Sequence, residues 1–252
     1  MFNLRKKTQQ IVDWNLHLPT KEHRFEKAFE NIEGYDDVKE IVRLALDSED
    51  AVNMIFIGPP ASAKTLFLNG IMEYGGARAK FFDATNTTNR ILDVLDIERP
   101  KIICLDEIEK MPKNFQEKML NFLESGRIKV DQQRRQIDIE MKGVKVFGAA
   151  NDVTRVTKPL LSRFTIPIYL QRYTQEQFVS ASIKVLKKER KDLPQELAEF
   201  IGNHVFERGG DIRKVVGIGR LVRKEHTPEK VLEIMDTLDR YSTYHEGGGR
   251  QA

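Results

Sequence analysis

The chain has 252 residues, 40% of them hydrophobic, which is enough to bury the core of one large domain or of a large and a small one. Its 41 basic and 38 acidic side chains nearly balance, so composition alone indicates no nucleic-acid partner. No apolar run reaches the roughly 18 residues that span a bilayer, and no secretory signal begins the chain, so we expect a cytoplasmic protein without a membrane partner. A single cysteine, Cys104, excludes an internal disulfide and a thiolate zinc site.

Short β-rich runs dominate the first two thirds of the chain. Residues 1–30 are polar with isolated apolar anchors such as Trp14 and Phe25, and we expect an extension that packs on the body. Between residues 52 and 171, five β-rich runs alternate with helical patterns, which is typical of a parallel sheet covered by helices. The runs are VNMIFIG, AKFFDAT, KIICLDE, VKVFGAAN and TIPIYLQ.

Helical patterns replace the β-rich runs after residue 172. Four segments follow within residues 173–244, and they predict a small helical domain. Three of them begin with a capping signal, at Thr174, at Pro194 in the first turn, and at Thr227 with Pro228. The glycine-rich tail, residues 245–252, is expected to be flexible.

The first β-rich run leads directly into a loop and then an apolar helix, the context that a phosphate-binding loop requires. Lys64 would contribute positive charge to the phosphates and Thr65 a hydroxyl to Mg²⁺. The usual pattern has glycine in place of Ala63, and a positive φ there would make the methyl cost about 1 kcal/mol. An ordinary strand-to-helix turn is the alternative interpretation. The candidate loop residues are Gly58, Pro59, Pro60, Ala61, Ser62, Ala63, Lys64 and Thr65.

Two acids, Asp106 and Glu107, end the buried run IICL. Ligands bind beyond the carboxyl ends of parallel strands, so both acids are expected to face the phosphate site. Asp106 is suited to hold Mg²⁺ through water, and Glu107 to orient and deprotonate the attacking water. Acids that only cap a helix are the alternative, which their position after a phosphate-binding loop weakens.

From about Asn31 onward, the order of motifs resembles the AAA+ ATPase family. Besides the loop and the acid pair, the resemblance rests on Asn151 at a strand end, on PLLSRF over residues 159–164 and on GGDIR over residues 209–213. It is greatest for Holliday-junction branch-migration motors of the RuvB type, and some features are shared with minichromosome-maintenance helicases and clamp loaders. The resemblance implies a P-loop NTPase fold, a parallel sheet with helices on both faces over residues 31–172, followed by a four-helix lid.

The resemblance also implies roles for individual residues. Asn151 resembles the sensor that positions the lytic water, and Arg163 resembles the arginine finger that reaches the next subunit's γ-phosphate. Arg213 resembles the second sensor, which reaches from the lid, and Gly34 and Tyr35 resemble the stretch beside adenine. Guanidinium groups suit the spread negative charge of phosphoryl transfer. ATP and Mg²⁺ are therefore the expected cofactors, and a homo-oligomeric ring, a hexamer, the expected assembly.

A predicted hairpin lies between the acid pair and Asn151. Its arms, residues 126–130 and 137–141, alternate apolar and polar side chains, which indicates one buried face. Several AAA+ branches that this chain resembles carry a hairpin here that projects into the ring pore. Lys129, Arg134 and Arg135 are therefore candidates for contacting the substrate, with a solvated hairpin tip as the equal alternative.

Two hypotheses for the function stay open. One is an ATP-driven motor on nucleic acid, helicase-like or branch-migrating, and the other is a protein-remodelling or clamp-loader-type ATPase that acts on a protein partner. RuvB-type motors carry a DNA-binding winged-helix domain after the lid, where this sequence ends, and this departure from the family pattern weakens the case for autonomous DNA binding. No aromatic pore motif follows AKFFDAT, which disfavours protein unfolding. A non-hydrolysing switch is disfavoured by the presence of Glu107, Asn151 and Arg163.

Overall fold

The structure is a computed structural model that describes residues 20–60, 62–85, 88–132 and 135–242. Trp14, the loop residue Ala61, the hairpin residue Arg134 and the tail 245–252 lie outside the described residues. In the ranges that are described, no helix is long and apolar enough to cross a membrane.

The elements alternate as the sequence predicts, with a helical segment last. The α-helices are α1 (Lys21–Phe29), α2 (Asp36–Asp47), α3 (Lys64–Gly75), α4 (Thr88–Glu98), α5 (Lys113–Ser125), α6 (Lys158–Arg163), α7 (Gln175–Glu189), α8 (Gln195–Glu207), α9 (Ile212–Leu221) and α10 (Pro228–Ser242). The strands are β1 (Asn53–Ile57), β2 (Ala79–Asp83), β3 (Ile102–Asp106), β4 (Arg127–Gln132), β5 (Arg135–Glu140), β6 (Lys145–Ala150) and β7 (Ile166–Tyr169).

Five strands form one parallel sheet in the order β2-β3-β6-β1-β7. Side chains of a strand alternate between the two faces, so Phe56 belongs to the core on one face and Ile55 to the core on the other. Both are fully buried, which explains why β1 is apolar from Met54 to Ile57. The predicted parallel sheet with helices on both faces is therefore confirmed.

The helix α1 packs on α3, the helix that follows the candidate phosphate-binding loop. The ring of Phe25 meets Tyr74 edge-on at 5.8 Å, and Phe29 lies 6.2 Å from Phe67. A Cβ atom at Gly70 would lie 2.9 Å from the Phe29 ring, so glycine permits this close approach. The part of the predicted extension that the structure describes, residues 20–30, thus contributes side chains to the hydrophobic core on this face of the sheet.

Helices α7 to α10 form the predicted helical segment after the sheet. The Thr174 hydroxyl accepts a hydrogen bond from the Gln177 amide, and the Gln177 side chain accepts one from Thr174, which is a complete capping box. Pro194 is the N-cap of α8 and not part of its first turn. Asp211 caps α9 by accepting from the Arg213 amide, so the third lid helix also has a cap, for which no signal was predicted.

Strands β4 and β5 form the predicted hairpin as a separate antiparallel pair. Ile128 and Ile139 are paired across it and are fully buried, whereas Arg127 and Asp138 form an ion pair on its exposed face. Lys129 is also exposed on this face. Both strands extend further towards the tip than the sequence pattern indicates, to Gln132 and from Arg135.

Candidate nucleotide-binding site

A cavity of about 280 Å³ lies between the carboxyl end of the sheet and the lid helices. Its walls come from the loop after β1, the ends of β3 and β6, and the start of α9. The predicted site residues that line it are Pro60, Ser62, Lys64, Thr65, Asp106, Glu107, Asn151 and Arg213. Segments far apart in sequence therefore converge on one cavity, as a phosphate-binding site at this edge of the sheet requires.

The conformation of the loop draws Lys64 inwards. A Cβ atom at Gly58 would lie 2.3 Å from the carbonyl oxygen of Leu170, so this position needs glycine. The Lys64 Nζ donates hydrogen bonds to the carbonyl oxygens of Gly58 and Pro59, at 2.8 and 2.7 Å, and to the Ser62 hydroxyl at 3.0 Å. Burial lowers the pKa of Lys64. Since the ammonium group is already largely removed from water, binding a phosphate requires little further desolvation.

Ala63 stands where the usual loop pattern has glycine, and it is the N-cap of α3. Its φ is −70° and its ψ is 6°, so the positive φ that would make the methyl group costly is not present. The side chain is fully buried. The backbone conformation of the loop is therefore compatible with alanine.

Ala63→Gly is expected to leave ATP affinity within about three-fold of wild type, because no backbone strain is relieved. The free energy of unfolding should fall by about 1 kcal/mol, since glycine is more flexible in the unfolded chain and a buried methyl group is lost. Nucleotide titration and denaturant unfolding measure the two quantities. A tenfold gain in affinity would show that the methyl group obstructs the site.

Asp106 and Thr65 present oxygen atoms side by side. The Thr65 hydroxyl donates to the Asp106 Oδ2 at 3.4 Å, and the Asp106 Oδ1 accepts from the Glu107 amide at 2.9 Å. Burial raises the pKa of Asp106. A hydroxyl and a carboxylate at this spacing are hard oxygen donors of the kind that Mg²⁺ prefers, so the residues fit this ion.

Glu107 has a backbone conformation that non-glycine residues rarely adopt, with φ 55° and ψ 43°. This left-handed turn redirects the chain at the end of β3, and strained residues of this kind are concentrated at functional sites. The Glu107 carboxylate is paired with Lys110, whose Nζ lies 2.8 Å from Oε1. The hydrogen bond to Glu107 raises the pKa of Lys110. Because the pair is partly exposed, it constrains the carboxylate only weakly.

Two further cavity residues come from β6 and from the lid. Asn151 follows β6, and its backbone N–H and its Nδ2 both donate to the Oε1 of Glu109, at 3.2 and 2.9 Å. Arg213 lies in the first turn of α9, with its Nε 3.7 Å from the Asp211 carboxylate. Its side chain is 70% exposed, so it is free to reorient towards a bound anion.

Arg163 is not among the residues that line the cavity. It ends α6, and its Nη2 donates to the Glu124 Oε1 at 2.9 Å. Lys129, on the exposed face of the hairpin, is likewise not in the cavity wall. The structure therefore brings residues of the predicted phosphate-binding loop, the acid pair and the two predicted sensors together, but places the predicted finger elsewhere on the same chain.

Gly34 and Tyr35, the residues of the predicted adenine segment, are not among those that line the cavity. Gly34 and Tyr35 have positive φ, and the Tyr35 hydroxyl donates to the carbonyl oxygen of Gln171 at 2.9 Å. The Tyr35 ring is 5.9 Å from the ring of Tyr173, which lines the cavity. The segment therefore supports the cavity wall through Tyr173.

Sequence reasoning missed several residues of the cavity wall. Most are apolar or aromatic and suit a base or a ribose better than phosphates. Four of them could have been found from the sequence. Asp211 and Ile212 belong to the GGDIR motif, and Tyr173 and Phe178 lie close to Thr174, the predicted cap of the first lid helix. The missed residues are Leu66, Asn69, Tyr173, Phe178, Asp211 and Ile212.

The comparisons with known proteins agree with this geometry. Residues 54–172 match the family described as the ATPase family associated with various cellular activities (AAA). The chain therefore has a P-loop NTPase fold and carries an AAA domain over these residues, and the matched stretch contains Lys64, Asp106, Glu107, Asn151 and Arg163.

Several curated relatives of this chain are RuvB proteins. The Holliday junction branch migration complex subunit RuvB of Mesomycoplasma hyopneumoniae (strain 7448) is 26% identical over 216 residues, which cover 77% of this chain and 68% of that protein. The RuvB subunit of Mycoplasmopsis pulmonis is 24% identical over 190 residues, or 70% of this chain and 59% of that protein.

Solved RuvB structures share the fold. The Thermotoga maritima RuvB Holliday junction branch migration motor has a TM-score of 0.57 at 20% identity, covering 82% of this chain and 70% of that one. A mutant of the same protein has a TM-score of 0.61 at 21% identity, covering 84% and 72%. The resemblance to AAA+ ATPases of the RuvB type is therefore confirmed.

Proposed function

We propose that this protein is an ATP-hydrolysing motor that works as a homo-oligomeric ring on nucleic acid, in the manner of a helicase or a branch-migration motor. The observation that supports the proposal most is the composition of one cavity. Lys64, Asp106, Glu107, Asn151 and Arg213 all line it, and together they provide a phosphate anchor, a metal ligand, a base and two sensors.

Each residue has a separate task in hydrolysis. Lys64 and the backbone N–H groups of the loop bind the phosphates of ATP. Thr65 and Asp106 would hold Mg²⁺, which when bound neutralises negative charge on the phosphate oxygens. Glu107 accepts a proton from the attacking water, and Asn151 orients that water. Arg213 belongs to the lid, so its contact with a phosphate would connect the lid to the bound nucleotide.

The position of Arg163 supports the proposed ring. A guanidinium group that is outside its own cavity can stabilise the developing charge only in a neighbouring subunit. Head-to-tail packing of identical chains supplies such a neighbour at every interface, and a closed ring of this kind, here a hexamer, leaves no site incomplete. ATP hydrolysis is then dependent on assembly.

The assignment of nucleic acid as the substrate rests on the relatives and on the hairpin. The relatives are named as subunits of a Holliday junction branch migration complex. In this chain the hairpin displays Lys129, whose side chain is 63% exposed, and its tip carries Arg134 and Arg135 in sequence. Basic side chains on a projecting loop bind phosphates without reading bases.

A salt series on DNA affinity tests this substrate assignment. The affinity of wild type for DNA should fall as salt is added. In the Arg134→Ala, Arg135→Ala double variant the slope of log affinity against log salt should be shallower by about 1 to 2, because each arginine releases about one counterion from DNA. The loss should be the same for different base sequences. ATPase turnover without DNA should be retained.

The matched control is the double variant Lys101→Ala, Lys142→Ala, which also removes two positive charges. Both lysines are exposed and lie away from the hairpin tip, Lys101 directly before β3 and Lys142 after β5. Wild type and both double variants are measured as assembled rings with single-stranded, duplex and four-way DNA. Equal slopes for all three proteins, or no DNA binding by the wild-type ring, would contradict the proposal and favour a protein-remodelling or clamp-loader-type ATPase instead.

A further inference from the structure

Glu109 is a buried acid beside the candidate active site that none of the motifs includes. It lies in the short 3₁₀ helix Ile108–Lys110, directly after the acid pair, and is 8% exposed. Lys64 and Glu109 are the charged residues among the buried polar ones in the described part of the chain. Their charges interact, since Glu109 opposes the lowering of the Lys64 pKa that burial causes. Glu109 is therefore within electrostatic reach of the phosphate-binding loop.

The contacts of Glu109 are directed at Asn151. One carboxylate oxygen, Oε1, accepts from the Asn151 backbone N–H at 3.2 Å and from its Nδ2 at 2.9 Å. Because the same Oε1 atom also accepts from the backbone N–H, it acts as an acceptor, and the Asn151 side chain directs its NH₂ group towards it. The orientation of the Asn151 amide is thereby fixed, and Asn151, unlike Glu109, lines the cavity.

A purely structural role would satisfy both oxygens of a buried carboxylate. In Glu109 the second oxygen, Oε2, is buried without a hydrogen-bond partner among the described residues. Gln116 provides the contrast: its amide donates to the carbonyl oxygens of Met111 and Arg155, and its oxygen accepts from the Thr157 amide. An unpaired buried oxygen is unfavourable for folding, so stability alone does not account for Glu109 at this position.

We propose that Glu109 is a positioning residue, which fixes the side-chain amide of Asn151 and thereby sets the rate of ATP hydrolysis without contributing to ATP affinity. The inference rests on the proposed role of Asn151 in that reaction. It requires an acceptor oxygen at the position of Oε1, and it does not require a negative charge there.

The test compares Glu109→Met with Glu109→Gln in the full chain, assembled and assayed for ATP turnover and nucleotide affinity. Methionine removes the acceptor and should lower kcat about 10- to 100-fold, with nucleotide affinity within about three-fold of wild type. Glutamine keeps an oxygen in place and should retain at least about a third of the turnover. Thermal unfolding shows whether each variant is folded at the assay temperature.

A double-mutant cycle with Asn151→Ala separates positioning from a general loss of structure. If Glu109 acts through Asn151, adding Glu109→Met to Asn151→Ala should lower kcat by no more than about two-fold. A wild-type kcat in Glu109→Met would overturn the inference. So would an equal loss of kcat in Glu109→Met and Glu109→Gln, or a loss in the double variant that equals the product of the two single losses.

Wild type and Glu107→Gln are assayed in the same series, so two failures can be told apart. Equal turnover in those two proteins would refute the proposed ATPase mechanism and with it this inference. A large difference between them, together with normal turnover in Glu109→Met, would refute the positioning role alone.

Discussion

Glu107→Gln is expected to stop ATP turnover while ATP stays bound. The amide cannot take a proton from the attacking water, so kcat should fall about 100- to 10,000-fold. Glutamine has the same shape, and it can adopt the left-handed backbone conformation of Glu107 at a similar cost. The phosphate contacts of Lys64 and the loop are unchanged, so affinity for ATP should be retained.

Two other variants define what that result means. Lys64→Ala should lose nucleotide affinity itself, because it removes the ammonium group held within the loop. Lys110→Met removes the ion-pair partner of Glu107 but keeps the carboxylate, and should leave kcat within about three-fold of wild type because a partly exposed ion pair is weak.

Equilibrium binding of ATP and single-turnover hydrolysis measure the two effects separately. Glu107→Gln that hydrolyses ATP at the wild-type rate would show that the base is a different residue. A loss of binding in the same variant would assign Glu107 to the binding of ATP and not to its hydrolysis.

Local patterns predicted the fold and the centre of the site. β1 and β3 could be predicted because strands buried on both faces must be apolar throughout, as in IICL before Asp106. The presence of Lys64 and Asp106 in the same cavity could be predicted from the rule that the loops after parallel strands gather at one edge of the sheet. Arg213 reaches this edge from a separate helical segment, and only the family resemblance indicated that.

The hydrogen bonds of Glu109 and of Arg163 with distant side chains could not be predicted. Glu109 and Asn151 are 42 residues apart, and their bond depends on the direction of a short 3₁₀ helix that no periodicity encodes. The pairing of Arg163 with Glu124 depends in the same way on how α6 packs on α5. The φ of Ala63 is likewise a property of the folded loop, so the cost of its methyl group could be judged only from the structure.

Arg163→Ala is expected to abolish ATP hydrolysis and to spare ATP binding. In its own chain the guanidinium group bonds Glu124 and is not part of the cavity wall, so removing it leaves the Lys64 contacts intact. If the group completes the neighbouring site, its loss should lower kcat about 10³- to 10⁵-fold. Glu124→Gln removes the partner and keeps the finger, so it should remain close to wild type because the pair is exposed.

Mixing variants decides whether Arg163 acts between subunits. In a ring that combines Arg163→Ala with Lys64→Ala chains, some interfaces join an intact P-loop to an intact finger, and these should restore part of the turnover. A mixture of Arg163→Ala with the double variant Lys64→Ala, Arg163→Ala has no such interface and should stay inactive. Both mixtures are assayed after the presence of both chains in the same rings has been verified. Equal turnover in the two mixtures would exclude action in trans, since the second mixture lacks every intact finger while keeping the same number of intact P-loops.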